Sequence, residues 1–252
     1  TSLDELSMGG TNRSAYTGLV RNPLDETRIS GGSSGGSAAL VGAKMARLGM
    51  GSDTGDSVRK PASFCGIVGV KPTYGLISRY GVIPYAASLD HVAYFTQNVQ
   101  DAALALEVLA KHDAKDMTSL DVEIPNYSEL LDLDLKGKRV GVFSNVIACL
   151  DNDTLQEDFK NLLAVLESKG AIIVEKTMDQ DLARAIVSVS MILSNAESVS
   201  LHANLDGIRF GLSPENNKDL ESLMTQARSQ GIGVLAKERM IYGAYCIDYK
   251  NM

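Results

Sequence analysis

Cysteine and histidine are scarce and scattered. The three cysteines, Cys65, Cys149 and Cys246, form no C-x-x-C pair, and the three histidines, His91, His112 and His202, fall at no metal-ligand spacing. The plain reading is free thiols in a reducing compartment and no metal. Long apolar runs are missing as well: none approaches the roughly 20 residues a bilayer crossing takes. The N-terminus has neither the basic stretch nor the apolar run of a secretory signal. The expectation is a cytoplasmic protein with no membrane contact. Positive charge is in deficit, 24 Lys and Arg against 31 Asp and Glu for a net charge of -7, which argues against a surface of clustered cations gripping nucleic acid directly.

What is present is ordinary globular material: 252 residues, 44% apolar and 22% charged, enough for one large or two small domains. The chain opens at Thr1 directly into TSLDELSMGG and closes on KERMIYGAYCIDYKNM with no helix stop signal. It reads as an internal piece of a longer protein.

The stretch Gly31 to Ser57, GGSSGGSAALVGAKMARLGMGSDTGDS, sets two Gly/Ser-rich turns on either side of helix-forming residues. GGSSGGS has the composition of a flexible linker, but it is short and runs straight into a helix, the geometry of an anion or oxyanion site. A phosphate loop is disfavoured because no Lys-Ser/Thr follows the last glycine, and GMGSDTG misses the G-x-G-x-x-G spacing. Ser57 is the candidate nucleophile and Ser33 its proton relay, since glycines beside a serine expose its hydroxyl and let N–H groups converge.

Periodicity predicts a helix over Ala38 to Gly49, a strand over Leu48 to Ser52, and helices over Gln97 to Lys111 and Asp151 to Lys169. Strands are expected at Lys138 to Ser144 and at AIIVEKT, so that strand, helix, strand forms a parallel βαβ unit. Asp181 to Asn204, Glu215 to Gln230 and Val234 onward read as helices. Gly9 to Arg28 and Tyr80 to Leu89 read as irregular, with Pro61 and Pro72 stopping helices. Asp151 to Lys169 reads as core packing.

GGSSGGSAA, followed after a helix by GSDTGDSVRKPASFCGIVGVKPTYG, resembles the amidase signature family. TSLDELSMG, RNP, SRYGVIPYAASLD, DAALALEVLAKHDAKDMTS, HANLDGIRFG and KERMIYGAY are similar to its branch of A subunits of tRNA-dependent amidotransferases. The resemblance implies an α/β fold with a mixed, mostly parallel sheet flanked by helices on both faces, in one domain incomplete at both ends. Its signature core covers about residues 1–119 and a looser second half 138–252.

The family uses a Ser–Ser–Lys triad, with the second serine 24 positions after the first, as Ser57 follows Ser33 here. The resemblance makes Ser57 the nucleophile and Ser33 the bridging serine after a cis peptide bond. Backbone N–H groups of Thr54, Gly55, Asp56 and Ser57 become the oxyanion donors, each worth about 3 kcal/mol. Arg239 would hold the glutamine carboxylate, and the family's glutamine-contacting tyrosine falls near Ser190 or Met191. The triad lysine falls upstream of Thr1, so this piece by itself is expected to be inactive, with Lys44 and Lys60 solvated. Asp56 stands where the family usually has glycine, and Arg59 is its expected partner. Asp53 and Arg59 brace the serine turn. Cys65 is expected to be a buried small residue and the Asp90-His91 pair to be without catalytic meaning.

The implied activity is release of ammonia from glutamine for a partner, the B subunit of a heteromeric amidotransferase, joined by a small C subunit. That partner uses ATP and Mg2+ to amidate misacylated Glu-tRNA(Gln) or Asp-tRNA(Asn) and holds most of the tRNA. No cofactor is expected in this chain. Two alternatives stay open: a stand-alone amidase acting on another carboxamide, and a non-catalytic assembly component.

Overall fold

The structure, a computed structural model, describes residues 1–248 and 250. Its chain divides into two units, residues 129–189 and the remainder on either side of them.

In the larger unit, β1 (Arg21–Asn22) and β2 (Asp25–Ile29) form an antiparallel ribbon. Then come α1 (Gly35–Gly42), β3 (Leu48–Asp53), α2 (Arg59–Cys65), β4 (Val68–Val70), β5 (His91–Thr96) and α3 (Val99–Leu109). The three later strands make one sheet in the order β3-β5-β4, with β5 central and both pairings antiparallel. Alternation along β5 decides the two faces. Ala93 and Phe95 pack with Ala38 and Val41 of α1 and with Ala62 and Cys65 of α2. Tyr94, pointing the other way, packs with Ile77 and with Ala102 of α3. The Asn98 side chain starts α3 by accepting the Asp101 N–H at 2.7 Å.

The smaller unit holds β6 (Arg139–Phe143), α4 (Ser144–Ile147), α5 (Asp153–Ser168) and β7 (Ile172–Lys176), with β6 and β7 parallel. This is the expected strand, helix, strand unit. α6 (Gln180–Leu201) begins here and continues into the larger unit, where α7 (Leu220–Gly231) and α8 (Val234–Ile247) follow. α8 crosses α6 closely: a Cβ on Gly243 would stand 2.0 Å from the Asn195 carbonyl oxygen, so only glycine fits. Met240, Ala236 and Ile232 pack there against Tyr85 and Met8.

Several expectations need correction. Among the described strands only β6 and β7 are parallel. Pro61 does not stop a helix but sits third in α2, in the first turn, where its missing N–H would have had no helical partner. α1 starts at Gly35 and ends at Gly42, and Lys44 at φ 60° turns the chain toward β3. The ribbon β1–β2 lies in a stretch expected to be irregular. α5 buries no residue fully: Phe159, Leu163 and Leu166 are half-buried, while Leu155 and Leu162 stay half exposed. With 22 residues, α6 is long and apolar enough by length and composition to cross a bilayer, against the expectation that no stretch of the chain is. Its buried residues, however, are Ser194, Asn195 and Ser198.

Phe95, fully buried on the central strand, is the test of this core. Phe95→Ala is expected to cost roughly 3–5 kcal/mol of unfolding free energy, read from urea denaturation.

Candidate active site

The first serine turn is built against the N-terminal segment. The peptide bond between Gly32 and Ser33 is cis. Asp4, fully buried, donates its N–H to the Ser33 carbonyl at 3.0 Å. Its carboxylate accepts the Asn12 N–H at 2.8 Å and the Ser14 hydroxyl at 2.7 Å. A Cβ on Gly32 would stand 2.3 Å from Asp4 Oδ2 and 2.7 Å from the Asn12 nitrogen, which makes glycine obligatory beside the serine. Nothing in the local pattern of Thr1 to Ser7 marks Asp4 as the acceptor that organises this turn, because its partners lie eight and ten residues further on.

The second turn leaves β3 at Asp53. This carboxylate, fully buried, accepts the Val58 N–H at 2.9 Å, the Arg59 N–H at 3.2 Å, and Arg59 Nε and Nη2 at 3.2 and 2.9 Å. Burial alone would raise the Asp53 carboxyl. The hydrogen bonds from Arg59, Val58 and the Arg59 backbone, with the guanidinium charge, outweigh it and hold the group below the usual carboxylate range. The Arg59 guanidinium is raised in return, chiefly by that hydrogen bond to Asp53, and also donates to the Gly55 carbonyl. These contacts join the start of α2 to the end of β3 across the turn.

Ser57 is buried on this turn, and its carbonyl accepts the Ser34 N–H at 3.2 Å, so the two serine turns lie side by side. Among the described residues no hydrogen bond joins the two hydroxyls, and the fully buried Ser33 Oγ has no partner. The N–H groups of Gly55, Asp56 and Ser57 are likewise unengaged within the described protein, and the space a Cβ would take at Gly55 is open. Thr54 donates its hydroxyl to Asp90 Oδ1 at 2.6 Å.

Asp56 is paired, but not with Arg59. Both its oxygens accept from Lys60 Nζ at 2.9 Å, one turn further along α2, because Asp53 already occupies the guanidinium. Lys60 is thus not the solvated residue expected; its ammonium lies where a Cβ on Gly10 would be only 2.8 Å away. Lys44 is exposed, as expected.

Arg239 of α8 donates Nη1 to the Tyr85 hydroxyl at 2.8 Å and lies 3.9 Å from the sulfur of Met191. Ser190, on α6, is exposed. Asp90 does more than its place beside a histidine suggests. Its buried carboxylate accepts the N–H groups of Tyr85 and Ala86 as well as the Thr54 hydroxyl. Its neighbour His91 turns Nδ1 to the Leu89 carbonyl at 2.7 Å and its ring to Tyr74, so no Ser-His-Asp arrangement forms. Cys65 is buried, and burial pushes its thiol up to about 11, leaving it inert. No group of His, Cys, Asp and Glu able to hold a metal occurs among the described residues.

The chain matches the family model described as Amidase over residues 1–252. It is similar to the A subunit of glutamyl-tRNA(Gln) amidotransferase from Thermosynechococcus vestitus, 41% identical over 98% of this chain and 51% of the relative. The protein of that name from Carboxydothermus hydrogenoformans is 40% identical with the same coverage. Among solved structures it is similar to the same enzyme's A subunit from Thermotoga maritima, with a TM-score of 0.77 and 32% identity over 99% of this chain and 50% of that one. The peptide amidase of Stenotrophomonas maltophilia follows at a TM-score of 0.75 and 27% identity over 97% and 51%. The chain spans about half the length of the curated relatives it matches.

The Asp53 cluster carries a pH signature. A carboxyl held lower in the folded than in the unfolded chain adds stability at neutral pH, and that contribution is lost as pH falls through its folded value. Asp53→Asn is expected to cost about 2–3 kcal/mol at pH 7. In urea denaturation the gap to the wild type should shrink steadily as the pH is lowered through the carboxylate range.

Proposed function

Because the chain belongs to the amidase family, we propose that it is the glutamine-hydrolysing part of a tRNA-dependent amidotransferase, with Ser57 as nucleophile. The observation that carries this reading is the pair of adjoining serine turns, Ser34 N–H on the Ser57 carbonyl, with unengaged N–H groups on Gly55, Asp56 and Ser57. A buried polar atom without a partner costs about 1–3 kcal/mol. An unpartnered Ser33 hydroxyl beside such donors is where a relay would stand.

In this reading Ser57 Oγ attacks the side-chain amide carbon of glutamine, and its proton passes through Ser33 to a lysine base, then to the departing ammonia. The oxyanion takes the N–H groups of Thr54, Gly55, Asp56 and Ser57, and water later releases glutamate from the acyl-enzyme. Neither Lys44 nor Lys60 is the base: Lys44 is exposed and Lys60 is committed to Asp56. Arg239 receives the substrate carboxylate, with Met191 beside it. The ammonia serves the B subunit of the complex, which carries ATP, Mg2+ and most of the misacylated tRNA, with a small C subunit completing a cytoplasmic assembly. This chain itself uses no cofactor.

The reading is tested on the full-length protein with its partner. Ser57→Ala should lower glutamine-dependent amidation by about 10⁴-fold or more and leave amidation from added ammonia intact. Unchanged glutamine use would identify a non-catalytic assembly component, and hydrolysis of aliphatic amides with none of glutamine a stand-alone amidase.

The Asp56–Lys60 pair generates a second outcome. Lys60→Gln leaves a carboxylate unpaired beside the developing oxyanion and should lower kcat roughly tenfold, whereas Asp56→Gly combined with Lys60→Gln should recover most of it. Rapid-quench measurement of acyl-enzyme formation reads this directly.

A further inference from the structure

One hydroxyl links the guanidinium to the serine turn, and nothing in the proposed chemistry uses it. Tyr85 is buried at the α6–α8 crossing, and its oxygen accepts from Arg239 Nη1 at 2.8 Å. Its own proton goes to Asn195 Oδ1 at 2.8 Å, with Ser194 Oγ at 3.1 Å. The hydroxyl is therefore fixed from α6 and fixes α8's arginine in turn. The backbone of the same tyrosine is held from the other side. Its N–H donates to Asp90 Oδ2 at 2.8 Å, and Asp90 Oδ1 takes the Thr54 hydroxyl at 2.6 Å.

A short, fully hydrogen-bonded path thus runs from the turn that carries Ser57, through Asp90 and one tyrosine, to the guanidinium. A rigid ring spans the middle of it, and the carboxylate at the far end is buried and saturated with donors. Such a path sets a distance. We propose that Tyr85 is a positioning residue for Arg239, and that the Asp90–Tyr85 tie fixes the separation between nucleophile and guanidinium. The site thereby selects primary amides whose carboxylate lies at one chain length from the carboxamide. This rests on the glutaminase reading and deepens it: the tie is the device that tells glutamine from its one-methylene-shorter homologue, asparagine.

The experiment compares L-glutamine, L-asparagine and butyramide, which has no carboxylate, as substrates of the full-length protein. Tyr85→Phe keeps the ring in its apolar site and removes only the hydroxyl. It should raise KM for glutamine roughly tenfold, hold kcat within about twofold, and narrow the preference for glutamine over asparagine. Its kcat/KM on butyramide should equal the wild type's. In an Arg239→Ala background the same change should have no further effect, since the tyrosine acts only through the arginine. An equal loss on glutamine and butyramide, an unchanged KM for glutamine, or additive effects with Arg239→Ala would each overturn the inference. A wild type that hydrolyses butyramide but not glutamine would overturn the glutaminase reading instead, a pattern visible before any variant is made. If Tyr85→Phe proves poorly folded by its thermal midpoint, Ser194→Ala, which loosens the same hydroxyl, must raise the glutamine KM in the same direction or the inference fails.

Discussion

A carboxylate buried at the end of β3 sets the shape of the turn that carries Ser57. Asp53 accepts two consecutive N–H groups at the start of α2 and the guanidinium of Arg59, the work that a cap residue does from an adjacent position. By taking the Val58 and Arg59 donors it ties the far side of the turn to its near side. The N–H groups in between, on Gly55, Asp56 and Ser57, are left with no acceptor in the described protein. A loop closed instead by its own backbone would have consumed those donors. Openness at the turn is thus a consequence of where the acceptor sits.

The same device recurs twice. Asp4 gathers the Asn12 and Ser14 N–H groups around the peptide that precedes Ser33, and Asp90 gathers those of Tyr85 and Ala86 beside the Thr54 hydroxyl. GGSSGGS and SDTGDS contain almost nothing apolar, so hydrophobic burial has little grip on them. Ordering such glycine-rich chain costs more conformational entropy than ordering most sequences. Charge-assisted hydrogen bonds to buried carboxylates supply a directional restraint in its place. The serine turns are held by acceptors reaching in from outside, while the apolar cores built on Phe95 and Tyr94 hold the sheet whose strands end at Asp53 and begin after Asp90.

How much of this can be read from the letters follows from the range of each interaction. α3, α5 and the β6–β7 pair declare themselves through local periodicity and local caps such as Asn98 and Asn152, and they form close to where that pattern places them. The paired serines are legible because their spacing and glycine neighbours lie within one stretch. β5 is not, because HVAYFT alternates too briefly to stand out, yet it is the central strand. Nor do the roles of Asp4 and Asp90 show in the sequence, since Asp4 reaches partners eight and ten residues away and Asp90 ties its own loop to Thr54, 36 residues before it. Proximity along the chain assigns Asp56 to Arg59. Helical geometry and the prior claim of Asp53 send it to Lys60.

The charge balance that results bears on what the site can bind. Around the serine turn, Asp53 is neutralised by Arg59 and Asp56 by Lys60. Asp90 spends its charge on backbone donors and a hydroxyl. Arg239 makes no ion pair among the described residues; its polar contacts are a tyrosine hydroxyl and a thioether. An uncompensated, half-buried guanidinium beside otherwise balanced charges favours a ligand that brings its own anion. On the glutaminase reading proposed above, a carboxamide carrying a carboxylate would meet both demands, the hydroxyl and unengaged N–H groups taking one end and the cation the other. A ligand without an anion would leave the guanidinium without a counter-charge, and the affinity forgone there is the selectivity that the arrangement of charges imposes.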